Sequence, residues 1–293
     1  MNTIPNRSAS FYGPVDDAER ERSLNAYIGF LNARNGTLDM ATGTLPNREA
    51  SLTAMNASPV RYEGRVSQAD FDRLLAHWNP SDAALTPELL VLIVLCRMND
   101  GEAYGVRVVK EAQRRRNEGV NDLRTKVIAF AQEEEEYHTR ILKGSAHHFG
   151  ITVSAEYKPT MALKVLIHAL ARAPKPFFHP ILYGSEVAGV FLFNWALNRI
   201  REMIKEPALR EVLEARMMEI LVDELGHVAF NRLVLSERSR GIGQFLAGQT
   251  IKGMTWITPE LAALGFDKNA QSKFAGFDVQ HLPEEARRRG FFA

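Results

Sequence analysis

The chain has 293 residues, 45% of them hydrophobic and 24% charged, which is enough to bury a sizeable core and ordinary for a globular protein. Lysine and arginine total 36 against 35 acids, a net charge of +1, so no global basic field points to nucleic acid. Cys96 is the only cysteine, which excludes an intramolecular disulfide and any cysteine-built zinc or iron–sulfur site.

The chain begins Met1-Asn2-Thr3-Ile4-Pro5-Asn6-Arg7, without the apolar stretch of a signal peptide. The apolar run from Leu89 to Cys96 is too short to span a bilayer, and Arg97 ends it. No membrane association and a cytoplasmic location are therefore expected. Residues 1 to about 66 are rich in Asn, Gly, Pro, Ser and Thr and read as a partly irregular arm. One helix is predicted there over 17–34, with Leu24, Tyr27, Ile28 and Leu31 as its apolar face. Ser67 with Asp70 three residues on predicts the start of a short helix closed by Pro80.

From Thr86-Pro87-Glu88 the pattern changes to long helices. The first runs to about Arg116, interrupted by Asn99-Asp100-Gly101. The second runs from about Asp122 to His148, the third from Pro180 to Lys205 and the fourth from Pro207 to about Arg238. A shorter apolar segment, Pro159 to Ala171, lies between the second and third. After Gly243 a helix to about Trp256 is expected, then a short one from Thr258-Pro259-Glu260. Residues 267–293 read as loop with a final turn at Pro283 to Arg289. No alternating stretch is long enough for a sheet. The fold class is therefore all-α, built on four long helices with short connections. Three regions are expected: 1–80 as an N-terminal arm packed on the body, 81–243 as a four-helix bundle, and 244–293 as C-terminal helices and tail.

The fourth helix carries Val222-Asp223-Glu224-Leu225-Gly226-His227. At about 100° per residue, three steps leave Glu224 and His227 about 60° apart on one face, one turn up. Leu213, Met217, Ile220, Phe230 and Val234 share that stripe, so the pair faces the core, where an unpaired charge is costly. Glu-x-x-His alone occurs by chance in many helices, and its plain reading is a hydrogen-bonded pair. The second helix repeats the spacing at Glu135 and His138, within Glu133-Glu134-Glu135-Glu136. Four consecutive glutamates usually mark a solvated face. That reading suits Glu133 and Glu136, but a run covering most of a turn forces Glu134, Glu135 or both onto the apolar side. The third helix places Glu186 among small and apolar neighbours. The first offers Glu102, in series with Leu92, Leu95, Asn99 and Val106, though an exposed acid is the competing reading there.

One such element per long helix is close to the arrangement of carboxylate-bridged dimetal sites in four-helix bundles. Over about residues 86–240 the sequence resembles the ferritin-like, non-haem diiron-carboxylate superfamily. The resemblance rests on Glu102, Glu135, His138, Glu186, Glu224 and His227. It implies a ferritin-like bundle in which those six are metal ligands, the glutamates of the two motifs commonly bridging. Asp223 matches a recurring acid directly before the second motif, which accepts a hydrogen bond from a ligand histidine and so fixes its tautomer. Arg216 and Asn231 are candidates to extend that network. The resemblance also implies two Fe ions, with Mn as the alternative, O2 as co-substrate, and an external electron donor such as a reductase or ferredoxin. Carboxylate and imidazole donors suit Fe(II) and Mn(II) better than a soft metal.

Four functions compete at this point. The first is an oxygenase or oxidase acting on a small organic substrate, by hydroxylation, N-oxygenation, desaturation or oxidative cleavage. The size of the chain and its extra arms favour it. So do Gly184, Ser185, Ala188 and Gly189, which leave room beside Glu186 unless they serve close helix packing. Phe191, Phe193 and Trp195 would line a cavity or simply fill the core. The second is iron storage or peroxide detoxification, disfavoured by chain length and, for rubrerythrin-like proteins, by the missing cysteine pairs. The third is a ribonucleotide reductase small subunit, but Leu142 stands where the radical tyrosine would be, and Tyr137 and Tyr183 do not take its place. The fourth is a non-catalytic helical scaffold with hydrogen-bonded Glu/His pairs. Aminobenzoate N-oxygenases carry an additional histidine where this chain has Ile220. His147 and His148 read as a helix-end cap or surface pair, while His168 and His179 receive no role. The arm and tail are left to cover a pocket, to form a homodimer, or both. Arg287-Arg288-Arg289 with Phe291-Phe292 reads as a solvated terminus rather than a docking motif.

Overall fold

The computed structural model describes residues 10–39, 42–117, 122–153 and 161–292, without the helix side chains of 17–19, 100–102, 109, 111–117, 162, 163, 166, 170 and 175. Among the described residues the regular structure is helical, with a single isolated bridge between Asp39 and Thr44. The all-α expectation holds. No helix among them is long and apolar enough to cross a membrane.

Four long helices form the body: α4 (Pro87–Asn117), α5 (Leu123–His147), α7 (Lys175–Met203) and α8 (Pro207–Val234). They pack in a closed ring, α4 against α5, α5 against α8, α8 against α7, and α7 against α4. Their starts follow from local chemistry. Asp122 caps α5 by accepting from the Thr125 N–H at 2.7 Å, and Thr86 Oγ1 accepts from the Leu89 N–H at 3.2 Å at the head of α4. Pro207 opens α8, where a missing N–H costs nothing. His148 is the C-cap of α5, so the cap reading holds for it, but it is buried rather than a surface residue.

Two helix limits differ from the sequence reading. α7 begins at Lys175, with Pro180 inside its second turn rather than at its start. One lost hydrogen bond so close to the helix head is tolerated, and the earlier start brings Glu186 nearer the middle of the helix. α4 runs through Asn99-Asp100-Gly101 without a break. α8 in turn stops at Val234, and Ser236 caps a new helix, α9 (Glu237–Ile257), by accepting from the Ser239 N–H. The expected boundary at 243 therefore falls inside α9. This helix lies along α7, where Gly184 and Gly243 allow the backbones to meet: a Cβ on Gly184 would stand 2.7 Å from the Gly243 carbonyl oxygen.

The arm contains α1 (Asp17–Asn35), α2 (Pro46–Asn56) and α3 (Gln68–Ala76). α2 starts at Pro46, in a stretch the composition marks as irregular. α1 packs on α5 and α8, α2 on α5, and α3 on α4. Arg216 of α8 ties the arm down, donating to the carbonyls of Met55 and Ile141 and to Asn56 Oδ1. Between α5 and α7 lies α6 (Met161–Arg172). After α9 come the short helices α10 (Glu260–Ala263), α11 (Lys268–Ser272) and α12 (Glu284–Arg289). The C-terminal segment is not a solvated end. Arg289 pairs with Glu219, and the buried Phe291 ring lies 4.8 Å from that of Tyr27.

Candidate metal centre

Glu135, Glu186, Glu224 and His227 converge: one ligand atom from each lies within 4.8 Å of every other. They come from α5, α7 and α8, three of the four long helices. His138 joins from the opposite side, its Nδ1 3.3 Å from Glu224 Oε1 and 3.4 Å from Glu135 Oε2. Glu135 turns its other oxygen, Oε1, to within 3.1 Å of His227 Nδ1. Glu186 Oε2 stands 3.7 Å from the same nitrogen. The cluster therefore has two halves that share Glu135: His227 with Glu186 on one side, His138 with Glu224 on the other. Five of the six residues expected from the sequence meet here. The Glu102 side chain lies outside the described residues.

What holds the imidazoles is as informative as what they face. His138 presents Nε2 to Asp223 Oδ2 at 3.1 Å. Arg34 Nε donates to Asp223 Oδ1 at 2.6 Å and Arg48 Nη2 to Oδ2 at 2.5 Å. Although burial raises the Asp223 pKa, these two guanidinium groups and His138 outweigh it and hold the carboxyl far below the usual range. A carboxylate so fixed can only accept, so His138 donates from Nε2 and turns Nδ1 to the acids. His227 is held in the same manner. Its Nε2 lies 3.1 Å from Glu134 Oε2, and Asn35 Nδ2 donates to Glu134 Oε1 at 2.7 Å. The support is crossed: the residue before each motif glutamate holds the histidine of the other motif.

Asp223 meets a histidine of the cluster, His138, at 3.1 Å. Glu134 does the same for His227 at 1% exposure, and the sequence reading did not single it out. Arg34, Asn35 and Arg48 were missed entirely. Arg216 is not part of this network and serves the arm instead. Asn231 donates to the His227 carbonyl at 3.0 Å, so it touches the motif helix rather than an imidazole. Glu136 is exposed as expected, whereas Glu133 is half-buried and paired with Lys110 at 2.8 Å. Tyr137 points away from the centre and donates to Glu49 at 2.6 Å, and Tyr183 donates to the Phe11 carbonyl.

A donor set of this kind calls for positive charge at its focus. His227 Nδ1 is buried and makes no aligned hydrogen bond, although acids stand before it. Burial and the nearby Glu135 charge push the Glu224 carboxyl well above the usual carboxylate range. Burial opposes a charge on His227, yet Glu134, Glu135 and Glu186 together hold its imidazolium well above the usual range. For Glu135, burial is outweighed by the two imidazoles, which keep it ionised. Protons can supply the missing charge, and so can cations. Ligand atoms held at about 2.1 Å on a six-coordinate dication sit about 3.0 Å apart, close to the spacings here. The residues present fit a metal centre of oxygen and imidazole donors.

A cavity of about 910 Å³ reaches this cluster, with Glu135, Glu186, Glu224 and His227 in its wall. Ile128, Leu182, Leu192, Phe193 and Phe230 make much of the rest. The small residues of α7 divide between two roles. Gly189 leaves room beside a ligand, since a Cβ there would meet Glu224 Oε2 at 3.4 Å, whereas Gly184 serves packing against α9. The aromatic residues divide too: Phe193 lines the cavity, while Phe191 meets Phe266 tilted and Trp195 meets it edge-on. His179 is also in the wall, and His168 is paired with the Tyr104 hydroxyl at 3.0 Å. No protein-family model, curated protein or solved structure matches this chain.

Proposed function

We propose that the chain is a ferritin-like, carboxylate-bridged dimetal protein, with iron as the resident metal, and that it acts as an O2-dependent oxygenase or oxidase on a small organic substrate. The observation that carries this reading is Glu135, which turns one carboxylate oxygen toward each of two imidazoles, each anchored from behind by an acid. Glu135 and Glu224 would hold the metals from the middle of the cluster. His138, Glu186 and His227 would be the further ligands, and Glu102 is the sequence's candidate for a sixth. When bound there, such metals would supply redox chemistry with O2, the electrons coming from an external donor. Asp223 and Glu134 fix both imidazoles with Nδ1 inward, so no reorganisation is needed on loading. Phe193, Phe230 and Leu192 keep water from the inner end of the cavity and bound substrate in place.

The cavity favours substrate chemistry over storage, because an iron store needs no large apolar chamber beside its ligands. Hydroxylation balances as RH + O2 + 2 e⁻ + 2 H⁺ → ROH + H2O, so two electrons come from an external donor, a reductase or ferredoxin. The test is metal analysis with O2 uptake. After anaerobic iron loading, about two irons per chain are expected, with O2 consumption that rises when a substrate fills the cavity. Mineral growth with no substrate-dependent uptake would replace this reading with storage. Failure to retain iron or manganese would leave a helical scaffold.

A further inference from the structure

The cavity beside the centre has two ends of unlike charge, and the helix directions show which is which. Glu135 faces His227 while His138 faces Glu224, so α5 and α8 run antiparallel. Only residues 204–206 link α7 to α8, which makes that pair antiparallel too and leaves α5 and α7 parallel. Along α5 the wall runs from Glu135 back through Ala131 and Ile128 to Arg124, three turns or about 16 Å. Along α7 it runs from Glu186 back through Leu182 to His179, two turns or about 10 Å. Both bases are therefore displaced from the acids toward the same end. That end is the open one: Asp122 and Arg124 are exposed, whereas Glu224 and His227 are buried.

Among the described lining residues Arg124 is the one permanent cation. It forms no ion pair among the described residues. Asp122, the acid at this end of the wall, accepts from the Thr125 N–H at 2.7 Å and so serves its own helix start. Arg20 and Glu21 border the outer side of Arg124 with one charge of each sign. A guanidinium at the mouth of an apolar cavity suits a carboxylate, which keeps part of its hydration there and would lose it at the buried inner end. The rest of such a molecule must be apolar to match Val127, Ile128, Leu182 and Val234.

We propose that the cavity takes a medium-chain carboxylate with its head outward. Arg124 holds the carboxylate at the mouth, and the alkyl chain runs inward past Ile128 and Leu182. Its far carbons, not those beside the carboxylate, then reach the cluster. This rests on reading the cavity as the substrate chamber of the dimetal centre. At about 1.25 Å of length per carbon, a chain of about twelve carbons covers the distance.

The test is binding of dodecanoate and 1-dodecanol to the full chain, metal-free and iron-loaded, by equilibrium dialysis at about 0.15 M salt, where charges beyond roughly 8 Å are screened. Arg124→Gln is expected to weaken dodecanoate about fivefold, the value of one exposed ion pair, and to leave dodecanol within about twofold. Ile128→Trp, which fills the cavity midway, is expected to weaken both ligands by about tenfold or more. Dodecanoate should bind within about twofold with and without iron, its head lying beyond the reach of the centre. An unchanged dodecanoate affinity in Arg124→Gln would overturn the proposal, as would an equal loss for both ligands. Dodecanoate binding that tightens strongly on iron loading would place the head at the centre and overturn the outward orientation. Unchanged binding in Ile128→Trp would put the ligands outside the cavity and overturn it as well. Because the metal-free protein gives the Arg124 readout, loss of the dimetal reading would appear separately, as absent iron with an intact Arg124→Gln effect.

Discussion

The carboxylate cluster has two faces of opposite character. Behind it, toward the arm, polar groups are densely paired: Asp223 accepts from Arg34, Arg48 and His138, and Glu134 accepts from Asn35 and His227. Glu219 extends this face, accepting from Arg34 Nη2 and Arg48 Nη1 at 2.9 Å each. In front of the cluster the cavity is mainly apolar. The two faces answer different physical demands. Ligand orientation needs fixed charge partners, which a low dielectric makes strong. A reacting molecule needs space and a dry wall. The arm therefore belongs to the centre's rear face, and the chamber is walled mainly by helices of the body and α9.

The largest effect should come from the residues on the boundary between the two faces. Glu135→Ala removes the oxygen donors shared by both halves, and His227→Ala removes the donor with no aligned partner. Either change is expected to cut iron from about two per chain to a small fraction of that, and to abolish O2 uptake. Full iron retention in both variants would break the proposal. Glu135→Ala removes one acid from an acid-rich cluster, whereas His227→Ala leaves Glu134, Glu135 and Glu186 without the imidazole they share and costs stability, so iron is counted per folded chain.

The next effect probes the rear face alone. Arg48→Leu leaves Asp223 with a single guanidinium, and Asp223→Asn leaves both arginines short of charge. Loss of such outer partners typically weakens metal binding about 10–100-fold, and breaking a buried ion pair costs up to about 3–5 kcal/mol of stability. Iron-binding isotherms and urea denaturation measure the two separately. Arg216→Leu is the comparison, because Arg216 ties down the same arm without touching either imidazole. It should lose stability with unchanged iron affinity of the folded fraction. Equal loss of affinity in both arginine variants would mean that the arm acts only by holding the fold together.

These two sets of residues differ in how well the sequence exposes them. The motif pairs lie within one helix each, so spacing alone places Glu135 with His138 and Glu224 with His227 on inward faces. Glu186 stands out because its neighbours are small or apolar. The outer partners come from another part of the chain: Arg34 and Arg48 reach Asp223 across 189 and 175 positions. No local period encodes such a contact. The arm's low apolar periodicity, with α2 beginning at an unremarkable Leu45-Pro46-Asn47, concealed it further. Glu134 was hidden differently, since in a run of four acids one residue's phase cannot be told from its neighbour's.

A smaller effect is expected where the arm presses on the second motif. Gly226 lies between Glu224 and His227, and a Cβ there would stand 2.6 Å from the Tyr27 hydroxyl oxygen and 3.0 Å from its ring. Gly226→Ala gains about 1 kcal/mol of helix propensity but overpacks a buried contact at about 1–3 kcal/mol. A net loss of roughly 1 kcal/mol is expected from these opposing terms by thermal denaturation. Tyr27→Phe should recover part of it by removing the nearest atom. A stabilised Gly226→Ala protein would show that the tyrosine yields freely, and that the arm is looser than its polar contacts imply.

The finest test uses the acidic run, which crosses from the rear face to solvent within one turn. Glu135→Ala removes a shared donor. Glu134→Ala leaves the donors intact but frees His227 Nε2 and Asn35, so iron affinity should fall by about 10–100-fold, as for other outer partners. Glu133→Ala breaks a pair with Lys110 whose side chains are 15% and 39% exposed, a contact worth about 0–1 kcal/mol once solvent screening is counted. Iron affinity there should not change. Glu136→Ala alters only an exposed acid. Four adjacent substitutions of one residue type thus predict three outcomes, near-complete loss, partial loss and no change, which iron titration of the series would read directly. If Glu133→Ala weakened iron binding as much as Glu134→Ala, net negative charge near the centre would be enough to explain both. The crossed support of the two histidines would then have no separate role.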